Sequence, residues 1–458
     1  MHVNFFDKKF SYLLLFLGGI LLFLPKINLV QLNKNETAGI RADDFILFFV
    51  ALLLVWGHFI LEKKLIRLEK LILLLTGFSL LSFILNQFLF ETDVLHIKAK
   101  IFYVLRPVEY FLFFYVGLIA SRLFIGDKVI KVFFLWNFLL MILQKLQFTG
   151  AISSEGYQTE VSSRVYGVAS FPSEMGLILN LLFCYFAYRD DSNSDSDSVP
   201  APASKFLLFF SPNVRYVLKK MYLPLLFAVF GTLIVFTGNR ISILALILCF
   251  LFRMKEVFNP RSLASLIGAM LVGVVLFTGF MFVISKTHAV YERSSGLISW
   301  SNLELGQVVW NKIDLEGDPL TQNTNITSEG YDMSWWIRIH KWVFMIKCFV
   351  MHPLCYLQGL GPGFSGAALD GGILRIITEY GLIGSYIFRK YFQSLSGINR
   401  QTKWMMVAFM FNMIFFDAYL AYKAMSVLLF ICGYLKGNCE QEVAMRVRSS
   451  VSKGPIFV

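Results

Sequence analysis

Charge is scarce in this chain. Asp, Glu, Lys and Arg together make 16% of its 458 residues, against 57% hydrophobic residues and a mean hydropathy of +0.63. A soluble domain carries roughly 25% charged and 45–50% apolar residues. Two or three water-soluble domains, which the length would accommodate, are therefore excluded. The 6 cysteines contain no C-x-x-C pair, which removes zinc-finger and dithiol readings. No His, Cys and carboxylate cluster has metal-ligand spacing, so no metal and no cofactor is expected. No DNA- or RNA-binding motif accompanies the formal charge of +12. The basic excess sits in short loops between apolar runs, where topology explains it better than nucleic acid. No internal repeat is visible. No small-residue cleavage site follows Lys8, Lys9 and the run from Phe10 to Leu24, so this run is expected to be a first membrane helix rather than a signal peptide.

What the chain does have is long apolar runs. A helix needs about 20 such residues to cross a ~30 Å hydrocarbon core. Runs of that kind lie near 10–26, 43–61, 68–90, 101–123, 129–148, 171–188, 221–238, 240–254, 262–285, 369–389, 403–417 and 419–435. They predict an all-α polytopic bundle of about twelve transmembrane helices. Basic loops orient it, with Lys63, Lys64, Arg67 and Lys70, then Lys128 and Lys131, then Arg253 and Lys255, then Arg389 and Lys390 on the cytoplasmic side. The chain then divides into N-terminal helices (1–188), a flexible cytoplasmic loop (189–220), central helices (221–285), a large periplasmic loop (286–368), C-terminal helices (369–437) and a cytoplasmic tail (438–458). The periplasmic loop is rich in tryptophan. Within it, Tyr331 to Met351 reads as an amphipathic helix, with Trp335, Ile339, Trp342 and Ile346 as the apolar face and Ser334, Arg338, Lys341, Met345 and Cys348 as a second stripe. His352-Pro353 ends it.

Charges within or beside membrane helices are expensive and ask for a reason. Here they gather at the outer end: Arg41, Asp43 and Asp44; Arg106, Glu109 and Tyr110; Arg164 and Glu174; Arg240; Arg338; Asp370, Arg375 and Glu379. The planar fork of arginine binds two phosphate oxygens at once, so several arginines on one cavity point to a diphosphate. Bland alternatives stand beside each residue. Arg106 with Glu109 and Arg375 with Glu379 have the spacing of self-neutralising helix pairs. Arg164 and Arg240 can snorkel to the interface, and Arg338 can be the wet side of an interfacial helix. Asp370 can be a helix N-cap. The Gly359–Gly363 loop can offer backbone N–H groups to phosphate, but lacks the Gly-Lys-Ser/Thr ending of a phosphate loop.

The stretch Gly359 to Gly384, GLGPGFSGAALDGGILRIITEYGLIG, resembles the signature of the O-antigen polymerase and ligase superfamily. RVYGVASFPSEMG from Arg164 to Gly176 is similar to the family's Arg-x-x-Gly helix opening. TGNRIS around Arg240 is similar to its Gly-Ser-Arg turn, and WIRIHKW around Arg338 to its external-loop Arg…Trp element. LRPVEY, with Arg106, Glu109 and Tyr110, also resembles these polymerases. The resemblance implies a metal-independent glycosyltransferase in the bacterial inner membrane, facing the periplasm and using undecaprenyl-diphosphate-linked oligosaccharides. Arg164, Arg240, Arg338 and Arg375 would bind diphosphate, Asp370 or Glu379 would orient or deprotonate the acceptor hydroxyl, and Arg106, Glu109, Tyr110 and Glu174 would support them. Membrane lipids and a chain-length regulator protein are the implied partners. Ligases carry a His followed by Asn or Ser nine residues before the Glu of the Glu-x-Gly-Leu-Ile-Gly element, where this chain has Asp370-Gly371. That departure points to the polymerase over the ligase. A flippase, the third reading, needs charges along a central path and usually two similar halves.

Overall fold

The computed structural model describes residues 8–31, 39–60, 66–89, 97–153, 164–189, 212–257, 300–315, 333–366 and 368–452. Among them are fourteen α-helices, one short 3-10 turn and a two-stranded ribbon. The helices are α1 (Lys8–Phe23), α2 (Ala42–Ile60), α3 (Arg67–Leu89), α4 (Ile97–Arg122), α5 (Gly126–Lys145), α6 (Pro172–Ala187), α7 (Pro212–Thr237) and α8 (Arg240–Val257). They continue as α9 (Trp300–Lys312), α10 (Met333–Met351), α11 (Cys355–Gln358), α12 (Gly372–Ser396), α13 (Arg400–Asn412) and α14 (Tyr422–Ser452). The ribbon pairs β1 (Asn28–Gln31) with β2 (Gly39–Arg41) antiparallel, an addition to the expected all-helical fold. The predicted span 262–285 and most of the low-complexity loop lie outside the described residues.

Among the described residues, two helical stretches, Arg67–Gln87 and Ile101–Arg122, are long and apolar enough to cross a membrane; shorter apolar stretches are Lys9–Phe23, Pro172–Ala187 and Tyr222–Thr237. Helix α3 is apolar on both faces: Leu68, Ile72, Leu75 and Phe83 are buried together with Ser79, Ser82 and Asn86, while Leu73, Leu74, Leu80 and Leu81 are exposed. Phe45, Phe48 and Phe49 on α2 and Leu382, Ile383 and Tyr386 on α12 are exposed as well. Backbones approach closely where side chains are smallest. A Cβ on Gly117 of α4 would strike Phe430 O of α14, and one on Gly433 of α14 would strike Phe114 O of α4. Small residues permit this contact because, with no side chain between them, the two backbones reach packing distance.

Two predicted spans change shape. The run 369–389 becomes α12, interrupted at Gly381, whose φ of 60° leaves the helical region. The interruption frees two carbonyls: Leu360 N donates to Thr378 O at 2.8 Å and Gly361 N to Glu379 O at 3.0 Å. The run 403–417 ends at Asn412, and an irregular stretch with the 3-10 turn Ala418–Leu420 leads into α14. The long segment 286–368 is folded where described. Helices α9 and α10 share a second core containing Leu305, Val309, Phe344, Met345, Cys348 and Leu360. The amphipathic helix is present: Ile339 and Trp342 of its apolar face pack against this second core, and Met345 and Cys348 of the second stripe are buried in it, while Ile346 is exposed. Cys348 and Cys355 are both free, with no disulfide between them.

Candidate functional site

Helix α12 carries Arg375 and Glu379 one turn apart, both fully buried. Arg375 Nε donates to Glu379 Oε1 at 3.1 Å. Its Nη1 donates to Asp417 Oδ2 at 2.8 Å, and its Nη2 to Gly366 O at 2.7 Å. One guanidinium thus joins two carboxylates that lie 38 positions apart in sequence. Glu379 spends its other lone pairs on the glycine-rich loop. It accepts from Gly363 N at 3.1 Å, Ser365 N at 3.0 Å and Ser365 Oγ at 2.6 Å. Gly359, Gly361, Gly363 and Gly366 hold the left-handed backbone this loop requires. The N–H nest that the sequence offers to phosphate therefore already holds an anion, the chain's own Glu379.

Asp417 organises the next turn. It accepts from Leu369 N at 2.7 Å and Gly371 N at 3.1 Å. Between those residues Asp370 has φ of 56°, a conformation that costs an L-residue about 1–2 kcal/mol. Strain of this kind persists only where surroundings over-determine it, and it clusters at functional sites. Asp370 is not a helix cap: Gly371 precedes the helix and no side chain caps it. Its carboxylate faces α10 instead, with Oδ2 3.2 Å from Arg338 Nη2. The side chains of Arg338 and Asp370 are 26% and 41% exposed, so this pair, unlike that of Arg375, is open to a ligand. Removal from water raises the Asp370 carboxyl above the ordinary aspartate range; Arg338 pulls it down, Asp417 pushes it up and Lys341 pulls it down. Arg338 Nε has no hydrogen-bond partner among the described residues. Lys341 Nζ donates to Ala368 O at 2.6 Å and Trp342 Nε1 to Leu369 O at 3.0 Å, which fastens α10 to the Asp370 turn. His340 is buried against the Trp336 ring, 4.0 Å between centroids, and burial lowers its pKa.

Arg164 and Arg240 share a second turn. Arg164 Nε donates to Thr237 O at 3.2 Å, and Val165 N donates to Phe236 O at 3.0 Å. Gly238, with φ of 66°, lies under the Arg164 side chain; a Cβ there would stand 3.2 Å from Nε. The segment leading from Arg164 into α6 is pinned to α5. Gln144 Oε1 accepts from Tyr166 N at 3.1 Å and Gly167 N at 2.9 Å, and Asn137 Oδ1 accepts from Val168 N at 3.2 Å.

The stretch from Asn412 to Ala424 connects everything. Asn412 Oδ1 accepts from Ser242 Oγ at 2.7 Å, on the first turn of α8 after Arg240. Met413 O accepts from Ile373 N at 3.1 Å, beside the Asp370 turn. Leu420 O accepts from Arg106 Nη1 at 3.0 Å and Tyr110 Oη at 2.7 Å. Lys423 N donates to Glu174 Oε1 at 2.8 Å. The two arginine turns thus flank one short segment at one end of the bundle.

No family model matches the chain, and neither does any curated protein. The site is read from its own chemistry.

Two expectations change, those for Arg375 and Glu379. Arg375 does not present its fork to a ligand, because all three nitrogens are spent on buried acceptors. Glu379 is no base for a substrate hydroxyl, because its carboxylate holds Arg375 and three loop donors. Arg106 and Tyr110 tie α4 to Leu420, and Glu109 stands half-buried on that helix. Glu174 is buried and accepts from Ser170 N at 3.0 Å as well as Lys423 N, which makes it a brace between α6 and α14. Asp370 and Arg338 remain part-exposed, whereas Arg164 gives its Nε to Thr237 O and Arg240 stands half-buried at the start of α8. Sequence reasoning missed Asp417, Gln144 and Asn137. Asp417 carried a signal, since an acid within an apolar run is costly and needs a partner. Among the described residues no group of three His, Cys, Asp or Glu side chains is arranged to hold a metal.

Proposed function

We propose that this chain is a membrane glycosyltransferase of the O-antigen polymerase type, joining polyprenyl-diphosphate-linked oligosaccharide units at the periplasmic face of the inner membrane. The observation that carries the proposal is the Arg338–Asp370 pair: an accessible cation and carboxylate 3.2 Å apart, on a left-handed turn anchored by a buried charge network. Arg164 and Arg240, across the Asn412–Met413 segment, supply further positive charge. The exposed leucines of α3 support a lipid environment, and the several shorter apolar helices extend that reading to a multi-span bundle.

In the proposed reaction, an acceptor sugar hydroxyl attacks the anomeric carbon of the donor. A new C–O glycosidic bond forms as the C–O bond to diphosphate breaks. The electron pair leaves with the polyprenyl diphosphate, and the hydroxyl proton passes to Asp370. Arginine guanidiniums balance the charge that grows on the leaving diphosphate. Confinement of both lipid-linked substrates to one membrane plane supplies proximity. Glu379, Arg375 and Asp417 hold the turn and take no proton.

Purified protein mixed with lipid-linked repeat units tests this directly. A ladder of polymer on the lipid carrier is the expected product. Arg338→Ala and Arg240→Ala should each remove the long chains while the protein stays in the membrane. A normal ladder from either variant refutes its assignment. Transfer of finished polymer onto lipid A core, with no chain growth, would mean a ligase.

A further inference from the structure

Helix α10 ends at Met351, and α11 follows after a sharp turn at Pro353. This corner belongs to the external loop, yet it hangs on α3. Ser82 Oγ donates to Gln358 O at 2.8 Å, and Asn86 Nδ2 donates to Leu360 O. The apolar stretch of α3 runs on to Gln87. Ser82 therefore lies about 7 Å inside its outer end, at 1.5 Å per residue. From the other side the corner rests on the break in α12: a Cβ on Gly381 would stand 2.6 Å from both Leu357 O and Gly359 N.

The outward side of this corner is apolar apart from His352, which is exposed at its turn. Met351, Leu354 and Leu357 are 60%, 65% and 57% exposed. No Asp, Glu, Lys or Arg occurs between Lys347 and Asp370. The exposed surface continues onto Leu382 and Ile383 of α12, just past the break. The backbone, although irregular, is satisfied from within. Cys355 N donates to His352 O at 2.9 Å and Gly359 N to Cys355 O at 2.8 Å, while α3 and α12 bond Gln358, Leu360 and Gly361. Irregular backbone at membrane depth requires this, because hydrocarbon offers no hydrogen bonds.

Building on the membrane reading above, we infer that the Val350–Gln358 corner is a re-entrant element seated in the hydrocarbon of the outer leaflet. It anchors the external loop in lipid at one end of α10. At the other end the same helix holds Arg338 against Asp370, at the height where a lipid-linked diphosphate presents its charge.

Single cysteines at Leu354, Leu357, Leu80 and Glu304 of the full-length protein in spheroplasts test this, with labelling by a charged, membrane-impermeant maleimide. Leu80 is exposed on α3 and serves as the lipid reference; Glu304 is exposed on α9 and serves as the water reference. L354C and L357C should label at least about tenfold more slowly than E304C, because a thiol in hydrocarbon does not ionise. A nitroxide at Leu354 should collide with oxygen more readily than with a soluble nickel chelate, which separates lipid from protein burial. Labelling of L354C and L357C at the rate of E304C, with L80C protected, overturns the re-entrant corner alone. Rapid labelling of L80C overturns the membrane reading and the corner together. Protection of the corner in a protein that makes no polymer leaves this inference standing and removes the glycosyltransferase reading.

Discussion

Replacing Asp417 with alanine isolates the network on which the Asp370 turn depends. Arg375 is fully buried, and Asp417 supplies its shortest carboxylate contact at 2.8 Å. Leaving one member of a buried ion pair behind costs about 3–5 kcal/mol. Leu369 N and Gly371 N lose their acceptor in the same step, and a buried unsatisfied N–H costs about 1–3 kcal/mol. These terms overlap, since Glu379 still faces Arg375, so the expected loss is about 4 kcal/mol. Equilibrium unfolding in mixed micelles, followed by tryptophan fluorescence, measures it. Converting Arg375→Met and Asp417→Leu together should cost less than the sum of the single changes, with a coupling of about 1–3 kcal/mol. An unfolding midpoint for D417A equal to that of the parent, or single changes that simply add, would show that the network does not hold the turn.

Other outcomes follow from the same geometry. Asp370→Asn should abolish polymer formation with little change in unfolding, whereas near-full yield would remove it as the base. Asp370→Gly relieves the left-handed strain but frees the unfolded chain, so stability should stay within about 1 kcal/mol while activity is lost. The acid limb of the pH–rate profile should lie above the ~3.9 of an ordinary aspartate, because the raised Asp370 carboxyl keeps its proton to higher pH and is a base only once ionised. Lys341→Met removes a charge that favours the ionised form, so that limb should move to higher pH; a shift downward refutes the assignment. Gly381→Ala adds a Cβ at φ 60° and 2.6 Å from two backbone atoms, and should lower stability by about 2 kcal/mol or more in the same unfolding assay.

Much of the local structure was legible because it follows from local chemistry. Leu73, Leu74, Leu80 and Leu81 announce an apolar helix wherever they pack. Pro353 ends α10 by removing an N–H and crowding the preceding turn. The glycine-rich loop was visible as a loop because glycine tolerates left-handed backbone. The interruption of α12 was not visible, because Gly381 alone inside GLIG is compatible with a continuous helix. Only the match between its freed carbonyls and Leu360 and Gly361 makes the break stable. The end of α13 was misplaced for a related reason: Met413 to Phe416 extend an apolar run that reads as more helix.

From composition and periodicity alone came the helical architecture, the helix within segment 286–368 and the residues expensive enough to demand an explanation. Those quantities depend on each residue's own transfer energy and its near neighbours along the chain. Which charges cancel was decided only in three dimensions. Arg375 and Glu379, neighbours on one helix, need Asp417 from another to complete their network, and Asp370 is turned toward Arg338 by hydrogen bonds its neighbours make to that same distant carboxylate. Coulomb and hydrogen-bond energies depend on separation in space, and spacing along the chain does not report it.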